Sequence, residues 1–182
     1  MRLFIAINFD QAFKASLFEI QSRIRGLSPR GSFTREENFH VTLAFLGETP
    51  AEALPRIKAA LSALAAPPFD ILFSRLGCFK QSRRELWWIG VEEGSEGLAQ
   101  LEQLRAKLVS GLAEQAVPFD PRGFKPHITL GREFQVREGP DLALKESLKV
   151  QVSRISLMKS ERLQRVLTYT ELFGQDLRNP AQ

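Results

Sequence analysis

Apolar residues run from Leu3 to Phe9 and predict a strand. Phe13, Leu17, Ile20 and Ile24 then recur at spacings of 4, 3 and 4, the mark of an amphipathic helix that Gly26 closes. A polar stretch from Ser28 to Asn38 reads as a loop, and an apolar strand beginning at His40 runs to Gly47. A second helix is expected from about Ala51, with Leu54, Ile57, Leu61 and Leu64 facing inward, until Pro67-Pro68 stops it.

The order then repeats. A strand over Leu86–Glu92 precedes a helix over Glu96–Gln115, whose Leu98, Leu101, Leu104, Leu108 and Leu112 share a face. A Pro/Gly-rich loop over Pro118–Pro126 leads to a second strand beginning with His, at His127, and a short helix is expected near Asp141–Leu148. Strands over Phe69–Leu76 and Val150–Met158 hold matching places after each unit's second helix. Arg165–Phe173 adds a last strand, and residues 174–182 read as a frayed tail. The two units are in close register, with strand starts Leu3 and Leu86 lying 83 residues apart and the two histidines 87 apart. The pattern predicts an α+β fold of two pseudo-symmetric lobes of antiparallel sheet plus helices, a duplicated unit in one domain over 1–182, with the His strands lining a cleft between the lobes.

At 182 residues, 43% hydrophobic and 25% charged, the composition is that of a globular chain with a real core. No apolar run reaches membrane-span length, and Asn8 interrupts the first one too early for a signal peptide. The single cysteine, Cys78, forms no intramolecular disulfide and makes a cytoplasmic location the simplest expectation. In Leu76-Gly77-Cys78-Phe79 it reads as a small buried residue more readily than as a nucleophile. The net charge of +4 is modest, yet basic residues gather in loops: Arg23, Arg25 and Arg30; Lys80, Arg83 and Arg84; Arg122 and Lys125; Lys159, Arg162 and Arg165. That distribution suits a polyanion and equally a solvated basic surface. Of Trp87-Trp88, one ring is expected in the core and the other partly exposed, with nucleotide stacking as an alternative role for it.

The candidate chemistry lies in the only two histidines, which open the same phrase: His40-Val41-Thr42-Leu43 and His127-Ile128-Thr129-Leu130. Given the Thr and Leu content, chance repeats His-x-Thr-Leu about once in 220 trials. On a strand each His and its Thr point the same way. An imidazole trades protons near neutral pH, and a hydroxyl two residues on can bond an anionic oxygen between them. Two converging copies supply an acid, a base and two donors for a phosphate. A lone His-x-Thr would be an ordinary half-buried histidine; duplication argues otherwise. Two histidines with no Cys, Asp or Glu at ligand spacing fall short of the three or four ligands zinc takes, so no metal is expected.

The segments Arg2-Leu3-Phe4-Ile5-Ala6-Ile7, Asn38-Phe39-His40-Val41-Thr42-Leu43-Ala44-Phe45-Leu46-Gly47-Glu48, Leu86-Trp87-Trp88-Ile89-Gly90-Val91 and Phe124-Lys125-Pro126-His127-Ile128-Thr129-Leu130-Gly131-Arg132 resemble the 2H phosphoesterases, and within them the LigT-like, or 2′-5′ RNA ligase-like, RNA 2′,3′-cyclic phosphodiesterases. The resemblance implies hydrolysis of a terminal 2′,3′-cyclic phosphate to a 2′-phosphate without metal or other cofactor, and leaves reversible 2′-5′ joining of RNA ends open. It implies that His40 is the general acid at the departing 3′ oxygen and His127 the general base on water. Thr42, Thr129 and Arg132 would bind phosphate oxygens, and Phe45 would contact the nucleobase or pack in the core. The expected partners are RNA ends or nucleotides carrying the cyclic phosphate, and the chain is expected to act as a monomer away from membranes. Leu157-Met158-Lys159-Ser160 followed by Tyr169 resembles the family's end, but a Gly often found between them is absent where Arg165-Val166 stands, so loop shape and substrate preference depart from the pattern. Two alternatives stay open: a phosphodiesterase for a small nucleotide such as ADP-ribose cyclic phosphate, and a non-catalytic protein that binds RNA ends, which would have no use for two His-x-Thr phrases.

Overall fold

The computed structural model describes residues 1–27, 30–81, 84–133, 144 and 146–179. Its centre is strand β1 (Arg2–Asn8), in which Leu3 to Ile7 are all buried. The run is continuous because both faces are covered. Leu3, Ile5 and Ile7 enter the main core, while Phe4 and Ala6 meet Met158 in a small cluster on the opposite face.

Helix α1 (Gln11–Leu27) follows, with Asp10 Oδ1 accepting the Phe13 N–H at 2.8 Å as its cap. Phe13, Leu17, Ile20 and Ile24 are buried as their spacing predicts. Within the expected loop lies a short strand β2 (Ser32–Phe33), and then comes β3 (His40–Glu48). Helix α2 (Leu54–Ser62) starts three residues after Ala51, which opens a 3-10 turn instead. Strands β4 (Phe69–Gln81) and β5 (Arg84–Val91) form a hairpin longer than expected. Helix α3 (Glu96–Glu114) is capped by Ser95 Oγ, which accepts from the Leu98 N–H at 3.2 Å, and β6 (His127–Arg132) carries the second His phrase. The expected strand over Val150–Met158 is two strands, β7 (Leu148–Val152) and β8 (Arg154–Leu163), and β9 (Val166–Asp176) closes the fold. The helix expected near Asp141–Leu148 lies largely outside the described residues, but Leu148 already belongs to β7.

The strands form one antiparallel sheet in the order β7-β4-β5-β6-β3-β1-β8-β9, with β2 added on β6. Only Ser153 separates β7 from β8, which stand six places apart in that order. In a flat sheet six spacings would cover about 29 Å, whereas two peptide links reach at most about 7.6 Å. The sheet is therefore curled until its β7 side returns to β8. The break at Ser153 is where the chain leaves one half of the sheet for the other.

Two four-stranded halves result, β7-β4-β5-β6 and β3-β1-β8-β9, which are the two lobes of an α+β fold. They exchange strands: β4 follows the first unit in sequence but pairs with β5, and β8 follows the second unit but pairs with β1. Residues of α1, α2 and α3 pack on one face of the sheet in a single main core. The other face carries the histidines. None of the described helices is long and apolar enough to cross a membrane.

The tail corrects the expectation of fraying over 174–182 as far as Arg178; residues 180–182 lie outside the described residues. Gly174, Gln175 and Asp176 pair with Ser156, Ile155 and Arg154, Leu177 is buried, and Arg178 bridges to Ala66. These partners are more than a hundred residues away or across a hairpin, so no local pattern marks them. Leu177→Ala should cost about 2–5 kcal/mol, the usual range for truncating a buried Leu. Urea denaturation measures it, and a stability equal to wild type would mean that the tail contributes nothing.

Candidate functional site

The two His phrases meet where β3 pairs with β6, in an antiparallel register that sets Val41 against Ile128. The same register brings His40 level with Thr129 and Thr42 level with His127. An axis through the Val41–Ile128 pair therefore relates the phrases. Val41 and Ile128 point into the main core, and His40, Thr42, His127 and Thr129 are half-buried on the helix-free face.

Strict alternation would send Phe45 and Arg132, each five residues past its histidine, to the opposite face. Two β-bulges prevent this. Against β1, Ala6 pairs with Thr42 and Ile5 with Ala44, so Leu43 is the extra residue; against β5, Trp88 pairs with Thr129 and Trp87 with Gly131, so Leu130 is extra. The Leu of each phrase is the bulged position. Beyond it the parity flips, and Phe45 and Arg132 rejoin the histidine face.

A bulge frees backbone groups that need partners. The Leu130 carbonyl accepts from Gln21 Nε2 at 2.7 Å and from the Thr34 N–H at 2.9 Å, and Gln21 also donates to the Thr34 carbonyl at 2.7 Å. The Leu43 carbonyl accepts from Arg105 Nε at 3.4 Å. Gln21 and Arg105 hold equivalent places, beside Leu17/Leu101, Ile20/Leu104 and Ile24/Leu108 on α1 and α3. Each helix of one unit fastens the bulge of the other.

The imidazoles are oriented alike. His40 Nδ1 donates to the Asn38 carbonyl at 2.7 Å, and His127 Nδ1 donates to the Lys125 carbonyl at 2.6 Å. A carbonyl only accepts, so in both rings Nδ1 keeps its proton and Nε2 is the nitrogen that can exchange one. His40 Nε2 lies 3.0 Å from Thr42 Oγ1. Phe4 and Tyr169 pack on His40 with centroids at 5.0 and 5.2 Å, and Phe79 stands edge-on to His127 at 5.1 Å, with Trp88 at 6.3 Å. This apolar lining has an electrostatic consequence. Burial pulls the His40 pKa down to about 4, the charges of His127 and Lys14 push the same way, and the bond to Asn38 opposes them. Burial lowers His127 as well, against its bond to Lys125.

Arg132 is exposed at the end of β6. Burial raises the Tyr169 pKa while Arg132 and Arg2 act against that rise, so both guanidiniums lie within electrostatic reach of the phenol. Phe45 packs on the Phe4 cluster with the Arg2 guanidinium 5.1 Å from its ring centre. Among the described residues no three His, Cys, Asp or Glu side chains gather as a ligand set. Cys78 is half-buried against the main core, on the face away from the histidines, which fits the packing reading. The structure thus brings His40, His127, Thr42, Thr129, Arg132 and Phe45 to one face. Sequence reasoning did not find the ring contacts of Phe4, Tyr169, Phe79 and Trp88, nor the clamps Gln21 and Arg105. It also missed the Asn38 and Lys125 carbonyls, although both stand two residues before a histidine and the matched spacing extends to them.

A family model described as the 2′-5′ RNA ligase superfamily matches residues 14–164. The chain is 34% identical over 144 residues to an RNA 2′,3′-cyclic phosphodiesterase of Archaeoglobus fulgidus, covering 79% of this chain and 77% of that one. It is 36% identical over 139 residues to one of Thermus thermophilus, covering 72% and 68%. Among solved structures it resembles TT0787 of Thermus thermophilus, with a TM-score of 0.81 and 30% identity over 99% of this chain and all of that one. It also resembles E. coli LigT complexed with 3′-AMP, with a TM-score of 0.74 and 27% identity over 97% and 96%.

The clamp on the second bulge is open to test. Gln21→Leu removes the buried donor to Leu130 and should cost about 1–3 kcal/mol of stability. Loosening the bulge also lets Arg132 leave its face, so any loss of phosphate affinity from Gln21→Leu should largely vanish when Arg132 is already Ala. A double-mutant cycle on sulfate binding measures this coupling. Additive losses would show that Gln21 does not act through Arg132.

Proposed function

This chain belongs to the 2′-5′ RNA ligase superfamily, and we propose that it is an RNA 2′,3′-cyclic phosphodiesterase that opens the terminal cyclic phosphate to a 2′-phosphate by paired histidine catalysis. One observation carries the reading: the Val41–Ile128 register and the two bulges gather two imidazoles, two hydroxyls and a guanidinium on a single open face. The cyclic phosphodiesterases among its relatives fix the reaction class. With both histidines on one chain, a monomer is sufficient. The cytoplasm, where Cys78 stays reduced, is the compartment we assign.

In the proposed reaction Thr42, Thr129 and Arg132 donate to the nonbridging phosphate oxygens, where charge grows in the transition state. His127 Nε2 takes a proton from water as the water oxygen bonds to phosphorus. The bond from phosphorus to the 3′ oxygen breaks, and protonated His40 gives that oxygen its proton. The 2′ ester survives. The two Nδ1 bonds keep both Nε2 atoms directed at the phosphate. His40 must start protonated, yet burial disfavours its charged form. The substrate's own negative charge supplies the missing stabilisation.

Binding an anion should therefore take up a proton. Sulfate, whose charge is constant over the range, should bind more tightly as pH falls from about 8 to about 5, and the His40 titration should rise from its value in the free protein, about 4. Calorimetry and imidazole NMR read the two effects. Affinity that is flat or falls toward acid would remove the link between phosphate and imidazolium.

The function itself is tested on a 2′,3′-cyclic nucleotide with excess EDTA present. Phosphorus NMR should show a 2′-phosphate product. His40→Ala or His127→Ala should abolish turnover, and Thr42→Ala, Thr129→Ala or Arg132→Ala should each cost about 10²–10³ in rate. A 3′-phosphate product would reverse the leaving group assigned to His40, and activity that requires a divalent ion would defeat the two-histidine mechanism.

A further inference from the structure

Beside His127 lies an aromatic pair to which the hydrolysis proposed above gives no contact with the substrate. Trp88 stands across from Thr129 on the histidine face, and Phe79 stacks on it with centroids 5.0 Å apart and planes 34° apart. Both rings are half-buried, and neither belongs to the main core or to the Phe4 cluster. The indole lies against the sheet only because two neighbours lack side chains. A Cβ on Gly77, its cross-strand partner, or on Gly90, two residues along β5, would overlap the ring. The Lys125 ammonium is 5.7 Å from the centre of the Phe79 ring.

The direction of the displacement says what these rings are for. The entering and leaving oxygens stand roughly in line across phosphorus. The leaving 3′ oxygen belongs to the cyclic nucleotide's own ribose, so under the reaction proposed above that ribose and its base lie on the His40 side, with Phe45, Phe4 and Tyr169. The His127 side receives the nucleophile. Water has no base to stack, but a ribose 5′ hydroxyl does, and base-on-aromatic stacking tolerates any sequence.

We propose that Phe79, backed by the Trp88 indole, seats the base of a second nucleotide, the one whose 5′ hydroxyl attacks the cyclic phosphate or leaves from it. In the joining direction the 5′ oxygen gives its proton to His127 and bonds to phosphorus, while the bond to the 3′ oxygen breaks and His40 protonates it, leaving a 2′-5′ linkage. Cleavage is the reverse: the 3′ hydroxyl attacks and the 5′ oxygen departs with a proton from His127. The ammonium of Lys125, 5.7 Å from the Phe79 ring, would be the charge offered to that nucleotide's own phosphates. This inference rests on the proposed function.

The test compares a 2′-5′-linked dinucleotide with a 2′,3′-cyclic mononucleotide on the same enzyme. Trp88→Leu and Phe79→Leu should lower kcat/KM for dinucleotide cleavage about 10- to 100-fold more than for mononucleotide hydrolysis, mostly through KM, and Trp88→Phe should restore much of it. The chain has two tryptophans, so fluorescence gives a direct reading. The dinucleotide should quench an indole that a 2′-nucleotide leaves bright, and Trp88→Phe should abolish the quench. Equal losses on both substrates would mean that the rings merely pack beside His127, and equal quenching by the mononucleotide would put its own base at this ring pair. Either result overturns the proposal, as does a wild-type enzyme that neither cleaves nor is quenched by the dinucleotide. A chain inert on the cyclic mononucleotide would instead sink the proposed reaction, and the quenching comparison would still decide the seat.

Discussion

The site depends on the register of one short strand pairing. Between β3 and β6 the registered pair is Val41 with Ile128, both almost fully buried. A slip by one residue would turn every side chain of a phrase over, placing Val41 or Ile128 in the open and a histidine in the core. The core thus chooses the register, and the register places the chemistry. Because the partner strands β1 and β5 meet each phrase with one residue too few, the excess is taken up at Leu43 and Leu130, and the fifth residue beyond each histidine returns to the working face. Gln21 and Arg105 hold the freed carbonyls from the core side.

The same burial that fixes the register governs the protons. Phe4 and Tyr169 leave His40 little water, so the imidazolium is disfavoured unless an anion is present. For stability the sign follows directly. A histidine whose folded pKa lies below the unfolded value of about 6.5 stabilises nothing above it, and the fold loses stability as pH falls from there toward about 4. Under the proposed reaction, such an apolar box would make protonation of His40 conditional on the charge of a bound substrate. The cost is borne by the free protein in acid.

Legibility in the sequence followed locality. The helices could be read because Leu17, Ile20 and Ile24, or Leu101, Leu104 and Leu108, repeat within a turn or two of each other. The histidines could be read because the fold uses the same phrase twice. The bulges could not, since Leu43 and Leu130 look like ordinary strand residues until the partner strand is known. Gln21 looks like a polar residue on a helix flank, and its bond to Leu130 spans 109 residues. Leu177 and the break at Ser153 were missed for a related reason: both are set by curling of the sheet, which depends on all of its strands together. The basic loops gave only a preference for polyanions, and chemistry entered through two side chains that charge counting ignores.

Duplication in this chain has not produced two independent halves. The first unit supplies β4, whose Phe79 touches His127, and the second supplies β9, whose Tyr169 touches His40. Asn38, whose carbonyl holds His40, donates its own side-chain N–H to the Leu167 carbonyl of β9 at 2.9 Å. Helix α1 fastens the bulge of the second phrase and α3 that of the first. Each histidine therefore takes its strand and one neighbouring ring, Phe4 or Trp88, from its own unit and a second ring, Tyr169 or Phe79, from the other. Two equivalent imidazoles would serve poorly in the proposed roles of acid and base, because those need one charged and one neutral ring. The surroundings differ, but in the free protein the difference runs against the proposed roles: burial between Phe4 and Tyr169 and the charge of Lys14 both lower the His40 pKa, to about 4, so it is the charge of a bound phosphate that would make His40 the protonated partner. Symmetry of the backbone brings the two imidazoles to one face, and under the proposed reaction the bound phosphate, not the lining side chains, sets which of them carries the proton.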